Sequence, residues 1–191
     1  MSVTVCPVQD DFIAEIGDVD LGNLNPGEIE EIKQAFWKYG VLVFPDQSLS
    51  QEQHVAFAKN FGPMDLSVLK KAVSSQKLRV REDIADVSNL SADNSILAES
   101  NRLRRMQLGN RLWHTDSSFK YVPALASLLY AREIPPVGGQ TAFADLRAAY
   151  DALDDEMKAR LEGLVAEHSL VYSRERMGYT DWDEGERQAV N

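Results

Sequence analysis

Apolar positions in the first sixty residues recur with helical and then strand-like spacing, and each change of spacing coincides with a stop signal. Asn25 precedes Pro26, and Ile29, Ile32, Phe36 and Tyr39 follow at steps of three and four. This predicts an amphipathic helix capped by the Asn25 side chain, with Pro at its first position, where a missing N–H leaves no bond unmade. Gly40 ends that helix, and residues 41–44 predict a short apolar strand stopped by Pro45. Ser50 and Gln53 have the spacing of a capping box, so a second helix is expected, with Phe57 and Phe61 on its apolar face and Gly62-Pro63 as its stop.

Later segments are richer in strand patterns. Residues 84–90 predict a strand in which Asp86 and Ser88 alternate with apolar neighbours. The nearly continuous apolar run 124–131 predicts a buried strand, followed by a turn at Pro135-Pro136 and Gly138-Gly139 and a further strand at 141–143. Asp145 is placed to cap a helix carrying Leu146, Ala149, Tyr150 and Leu153, and a second helix starts near Asp154 with Met157, Leu161 and Leu164. Residues 165–171 predict another strand, after which the chain becomes highly charged, with no obvious closing element. No internal period and no low-complexity stretch is present, which excludes a repeat array.

Composition narrows the class. The chain has 191 residues, 44% of them hydrophobic and 26% charged, with a formal net charge of −10. That is the make-up of one globular domain, and its acidity argues against nucleic-acid or anionic-membrane partners. No apolar run approaches the roughly 20 residues needed to span a bilayer, and a single cysteine, Cys6, suits a reducing cytoplasm. Residues 70–111 run against the overall charge, with nine basic residues to five acidic ones. Such a segment is either a solvated loop or a mobile element that draws a small anion toward a pocket.

The residues with chemistry are Trp113-His114-Thr115-Asp116. On an extended chain, positions two apart project to one face, so His114 and Asp116 can reach the same metal ion. Adding a second histidine would complete the facial triad of non-haem Fe(II) oxygenases, whereas alone the pair is a weak signal that more often marks a hydrogen-bonded surface couple.

The run Leu108-Gly109-Asn110-Arg111-Leu112-Trp113-His114-Thr115-Asp116-Ser117-Ser118-Phe119 resembles the taurine dioxygenase family of Fe(II)/2-oxoglutarate-dependent oxygenases. So does Pro135-Pro136-Val137-Gly138-Gly139-Gln140-Thr141-Ala142-Phe143-Ala144-Asp145, with Thr141 placed 25 positions after Asp116. The strand at 41–44 and the segment Phe57-Ala58…Phe61-Gly62-Pro63 match as well, so the likeness spans almost the whole chain. Within the family, Ser117-Ser118-Phe119 and Ala149-Tyr150-Asp151-Ala152-Leu153 are most similar to the 2,4-dichlorophenoxyacetate dioxygenase branch, which acts on aryloxyalkanoates. Related branches oxidise taurine or alkyl sulfates.

The resemblance implies an α+β fold with a double-stranded β-helix (jelly-roll, cupin-like) core and flanking helices, as a single domain over 1–191. It implies Fe(II) as cofactor, with 2-oxoglutarate and O2 as co-substrates, and oxidation of a small anionic substrate to give a phenol, succinate and CO2. By the same resemblance His114 and Asp116 are metal ligands, Thr141 bonds the distal carboxylate of 2-oxoglutarate, and Asn110 and Lys70 meet substrate. The family commonly forms homo-oligomers.

One departure stands out. His168 follows Thr141 by only 27 positions, with Arg174 and Arg176 shortly after, whereas the family places its distal histidine and 2-oxoglutarate-anchoring arginine much further on. His168 is therefore not expected to be the third ligand, and His54 is expected to be a packed helical residue. The third ligand, the arginine and the last strands of the barrel are expected beyond Asn191, in a C-terminal part that this chain lacks. Two other classes predict different behaviour: a cupin-like zinc or manganese protein that consumes no 2-oxoglutarate, and a silent fragment without a stoichiometric Fe(II) site.

Overall fold

The computed structural model describes residues 2–9, 11–65, 79–182, 184, 185 and 187. The chain divides into two compact units, Met1–Ser48 with Leu128–Ala166, and Leu49–Ser127 with Glu167–Asn191. Among the described residues no helix is long and apolar enough to cross a membrane.

The first unit is organised by a three-stranded mixed sheet of order β1-β2-β3. Strand β1 (Thr4–Gln9) pairs antiparallel with β2 (Ile13–Gly17), and β2 pairs parallel with β3 (Val41–Val43) through Ile13↔Val41, Ala14↔Leu42 and Glu15↔Val43. A parallel pair needs a crossover, supplied by helix α1 (Pro26–Tyr39). Its start is as the sequence predicts: Asn25 accepts from the N–H groups of Gly27 and Glu28, and Glu28 returns a bond to Asn25 N–H at 2.9 Å. Its end is too, since Gly40 has φ of 76° and donates to Phe36 O at 2.8 Å. Ala14 and Ile16 of the central strand and Ile32, Ala35 and Tyr39 of α1 are buried. Full burial of an aliphatic side chain such as Ile16 or Ile32 contributes about 1.5–3 kcal/mol.

Helices α4 (Leu146–Asp151) and α5 (Asp155–Leu161) also belong to this unit; Asp145 caps the first as predicted, and Asp154, near which the second is expected to start, is its cap. Arg147 donates to Lys38 O, Tyr39 O and Asp11 O at 3.1–3.3 Å, so a cation from α4 meets the carbonyl end of α1. Gln47 ties the loop after β3 to the loop after β2, donating to Val19 O and accepting from Leu21 N–H, both at 3.0 Å.

The second unit opens with α2 (Gln51–Ala58), whose Ser50–Gln53 capping box forms as predicted. The helix tightens into a 3-10 turn at Lys59–Phe61, where Phe61 meets Phe57 edge-on at 5.5 Å. Helix α3 (Arg102–Gln107) runs into a second 3-10 turn, Leu108–Arg111. Helix α6 (Leu170–Glu175) and the residues after it form a small core of Val171, Tyr179 and Trp182, packed against Met106 and Leu170.

Several expected strands do not form. Apart from the sheet, the described residues hold one isolated antiparallel bridge, Leu90↔Ile96, and segments 84–90, 124–131 and 141–143 carry no ladder. Apolar patterning reports which residues favour burial, but a strand exists only where a second strand takes up its N–H and C=O groups. Segment 165–171 fails differently: Ser169 caps a helix, its hydroxyl accepting from Tyr172 N–H at 3.1 Å, and the chain turns helical at Leu170. Helix α5 stops at Leu161, short of the expected Leu164, because Glu162 leaves the helical region and Gly163 takes φ of 74°. The jelly-roll core expected from the family likeness is thus represented by a mixed sheet and helices.

Candidate metal centre

The His-x-Asp run leaves the 3-10 turn at Leu108–Arg111, whose Gly109 is buried. A Cβ on Gly109 would lie 1.5 Å from an Nη of Arg174, so the guanidinium occupies the place of a side chain. The guanidinium is the far end of a flexible side chain, so a residue larger than glycine would displace it. Leu112 is extended, with φ of −96° and ψ of 147°, and its N–H closes the turn onto Gly109 O. His114 lies in non-helical chain with no strand partner, and a turn begins at Asp116. Ser117 takes a left-handed φ of 57°, and Lys120 N–H donates to Ser117 O at 2.9 Å.

This geometry brings His114 and Asp116 together, with Nε2 and Oδ1 3.3 Å apart. Two ligand atoms about 2.1 Å from one ion, at right angles, lie about 3 Å from each other, so the separation suits a shared metal. His114 Nδ1 lies 2.6 Å from Leu112 O, which can only accept, so Nδ1 carries a proton and donates. In the neutral ring Nε2 then presents its lone pair beside the Asp116 carboxylate, an arrangement that a cation between them stabilises. The other carboxylate oxygen, Oδ2, accepts from Ser127 Oγ at 2.6 Å. Both side chains remain open to solvent, at 47% and 59% exposure, so an ion and small molecules can reach them.

The turn after the pair is held from a distance. Asp65 accepts from Ser117 Oγ at 3.0 Å and from Lys120 Nζ, and these bonds, led by Lys120, hold its carboxyl below the usual carboxylate range.

Asn110 is exposed on the 3-10 turn, and Thr141 is exposed in the first unit, its hydroxyl without a hydrogen-bond partner among the described residues. Lys70 lies outside the described residues. His168 precedes the cap of α6 and is exposed, and among the described residues no third His, Cys, Asp or Glu joins a metal-binding group.

The basic segment changes meaning. Arg79 pairs with Asp86 at 3.3 Å, Arg81 with Asp83 at 2.8 Å and Glu52 at 3.4 Å, Arg104 with Glu99 at 3.5 Å, and Arg105 with Asp181. Glu52 and Asp181 come from outside the segment, which is how a local cationic excess becomes a set of ion pairs. The electrostatic expectation of anion attraction loses those four arginines.

Sequence reasoning missed Ser127 and Asp65. Ser127 was visible as the one small polar residue inside the apolar run 124–131, whereas Asp65 is 52 positions from Ser117 and carried no signal.

The family model described as "Taurine catabolism dioxygenase TauD, TfdA family" matches residues 4–190. The alpha-ketoglutarate-dependent 2,4-dichlorophenoxyacetate dioxygenase of Cupriavidus pinatubonensis is 41% identical over all of this chain and 66% of its own length. The (S)-phenoxypropionate/alpha-ketoglutarate-dioxygenase of Sphingobium herbicidovorans is 39% identical over 92% of this chain and 56% of its own length. A crystal structure of AAD-2 in complex with Mn(II) and N-oxalylglycine superposes with a TM-score of 0.92 at 45% identity, covering 100% of this chain and 66% of that one. The chain thus spans about two thirds or less of the length of these relatives, and it belongs to the TauD/TfdA dioxygenase family.

Proposed function

We propose that the protein is an Fe(II)/2-oxoglutarate-dependent dioxygenase acting on an aryloxyalkanoate. Residues 1–191 then form part of one catalytic domain whose complete form is a double-stranded β-helix. The observation that carries this reading is the His114–Asp116 pair at 3.3 Å, with Leu112 O fixing the imidazole tautomer, in a chain 41% identical to a 2,4-dichlorophenoxyacetate dioxygenase. When bound, Fe(II) supplies the coupling of 2-oxoglutarate decarboxylation to oxidation of a substrate C–H bond by dioxygen.

In this reading His114 and Asp116 hold the ion, and their exposure leaves its remaining positions open to co-substrate. Thr141 donates its hydroxyl to the distal carboxylate of 2-oxoglutarate, a role for which an unpartnered hydroxyl is chemically suited. Asn110 and Lys70 contact the substrate. An aryloxyacetate hydroxylated at the carbon beside its ether oxygen is a hemiacetal, which collapses to a phenol and glyoxylate. Per turnover, one 2-oxoglutarate and one O2 give succinate and CO2, and the second oxygen atom enters the substrate C–H bond as the hydroxyl. The protein acts in the cytoplasm, in keeping with a single free thiol at Cys6, and assembles as a homo-oligomer.

Phenol release from an aryloxyacetate and an aryloxypropionate, measured with Fe(II), 2-oxoglutarate and oxygen on the full-length protein, tests the proposal. Release that depends on 2-oxoglutarate is expected. Turnover confined to taurine or an alkyl sulfate would overturn the substrate class and keep the oxygenase, and no 2-oxoglutarate consumption on any of these substrates would overturn both.

A further inference from the structure

We infer that Ser127 is a positioning residue that keeps Asp116 a one-oxygen ligand, and so keeps coordination positions free for co-substrate. The inference rests on the metal-centre reading above and concerns a residue to which that reading assigns no role.

The two carboxylate oxygens of Asp116 are in different surroundings. Oδ1 faces His114 Nε2 at 3.3 Å, the side on which a shared ion would sit. Oδ2 accepts the Ser127 hydroxyl at 2.6 Å, the length of a charge-assisted O–H···O⁻ bond. A carboxylate is free to rotate about its Cβ–Cγ bond and to place both oxygens on one cation. The Ser127 bond opposes that rotation, because turning Oδ2 toward the ion gives up the hydrogen bond.

The consequence is a matter of counting. In a six-coordinate centre, two imidazoles and one carboxylate oxygen leave three positions, enough for a chelating 2-oxo acid and dioxygen. A carboxylate bound through both oxygens leaves two, and the 2-oxo acid alone fills them. The hydroxyl of Ser127 therefore acts through Asp116, as Leu112 O acts through His114: each ligand has its second polar atom held by a neighbour.

Anaerobic titration of the full-length protein with Co(II), followed by visible absorption with and without 2-oxoglutarate, tests this. Ser127→Ala and the near-isosteric Ser127→Cys, which keeps the volume but is a weak donor, are expected to bind Co(II) at least as tightly as wild type but with altered ligand-field bands, because Asp116 can then take a second coordination position. Ser127→Thr, which keeps the hydroxyl, is expected to restore wild-type affinity and bands. If Ser127→Cys matches wild type in spectrum, the hydroxyl has no positioning role and the inference falls, whatever the alanine variant does. If wild type itself binds no Co(II), the metal-centre reading fails first and takes the inference with it.

Discussion

The β1–β2–α1–β3 region and the run from Gly109 to Tyr130 are both rich in apolar residues, yet they use them differently. In the first, every local signal closes within a few residues of itself: Asn25 caps its own helix, Gly40 ends it, and Ile16 and Ile32 are fully buried. In the second, Trp113, Leu125 and Leu129 are exposed, no ladder forms, and the chemistry-bearing side chains are held one by one by hydrogen bonds from Leu112 and Ser127. The difference teaches where each kind of information resides. Stability in the first region comes from burial, whereas the second spends its polar contacts on orienting two ligands.

The comparison breaks most visibly if site variants unfold the protein. His114→Ala and Asp116→Ala in the full-length enzyme are expected to reduce Fe(II)-dependent succinate formation to background while leaving the unfolding free energy unchanged within about 0.5 kcal/mol, because both side chains are solvent-exposed. Near wild-type turnover by either variant would remove both residues from the metal centre. A large fall in stability would show that the run is a structural core instead.

The complementary variants are Ile32→Ala, at a side chain with 0% exposure, and Leu129→Ala, at one with 69%. Denaturant unfolding should give a loss of about 2–5 kcal/mol for the first, from lost transfer energy plus a cavity, and within about 0.5 kcal/mol for the second. A Leu129→Ala cost as large as that of Ile32→Ala would mean that the apolar run 124–131 is covered in the working protein.

These contrasts also explain what was legible in the sequence. The caps at Asn25, Ser50, Asp145 and Asp154 were readable because a cap and its recipient N–H are two or three residues apart. The His-x-Asp pair was readable for the same reason. Strands β1 and β2 were not, since β1 is exposed along its whole length, contains Pro7 and shows no alternation. Helix α6 was hidden inside what looked like a strand, because Ser169 outweighs the apolar run around it. The pairing of Arg81 with Glu52 spans 29 positions and that of Arg105 with Asp181 spans 76, so a count of charges within residues 70–111 could not anticipate them.

Thr141 sharpens the site side of the comparison. Thr141→Val keeps the shape and removes the hydroxyl, and loss of a hydrogen bond to a charged group costs about 1.5–3 kcal/mol, a rise of roughly 10- to 100-fold in the KM for 2-oxoglutarate. Thr141 is exposed, so stability should not change. An unchanged 2-oxoglutarate dependence would place Thr141 outside the site.

The smallest effect is expected at Asp65, which holds the turn at Ser117 and Lys120 from a distant part of the sequence. Its carboxyl is held below the usual carboxylate range in the folded state, chiefly by the Lys120 hydrogen bond. A depressed pKa contributes stability that is present above the unfolded value of about 4 and is lost as pH falls through the folded value. Asp65 and Lys120 are partly exposed, at 33% and 25%, so the contribution stays below about 1 kcal/mol. Asp65→Asn should therefore lower stability slightly at pH 7, and the gap to wild type should close as pH drops below about 4. Added salt should narrow the same gap at pH 7. A gap that stays constant across this pH range would show that Asp65 holds the turn through its shape and its bond to Ser117, and that its charge contributes nothing.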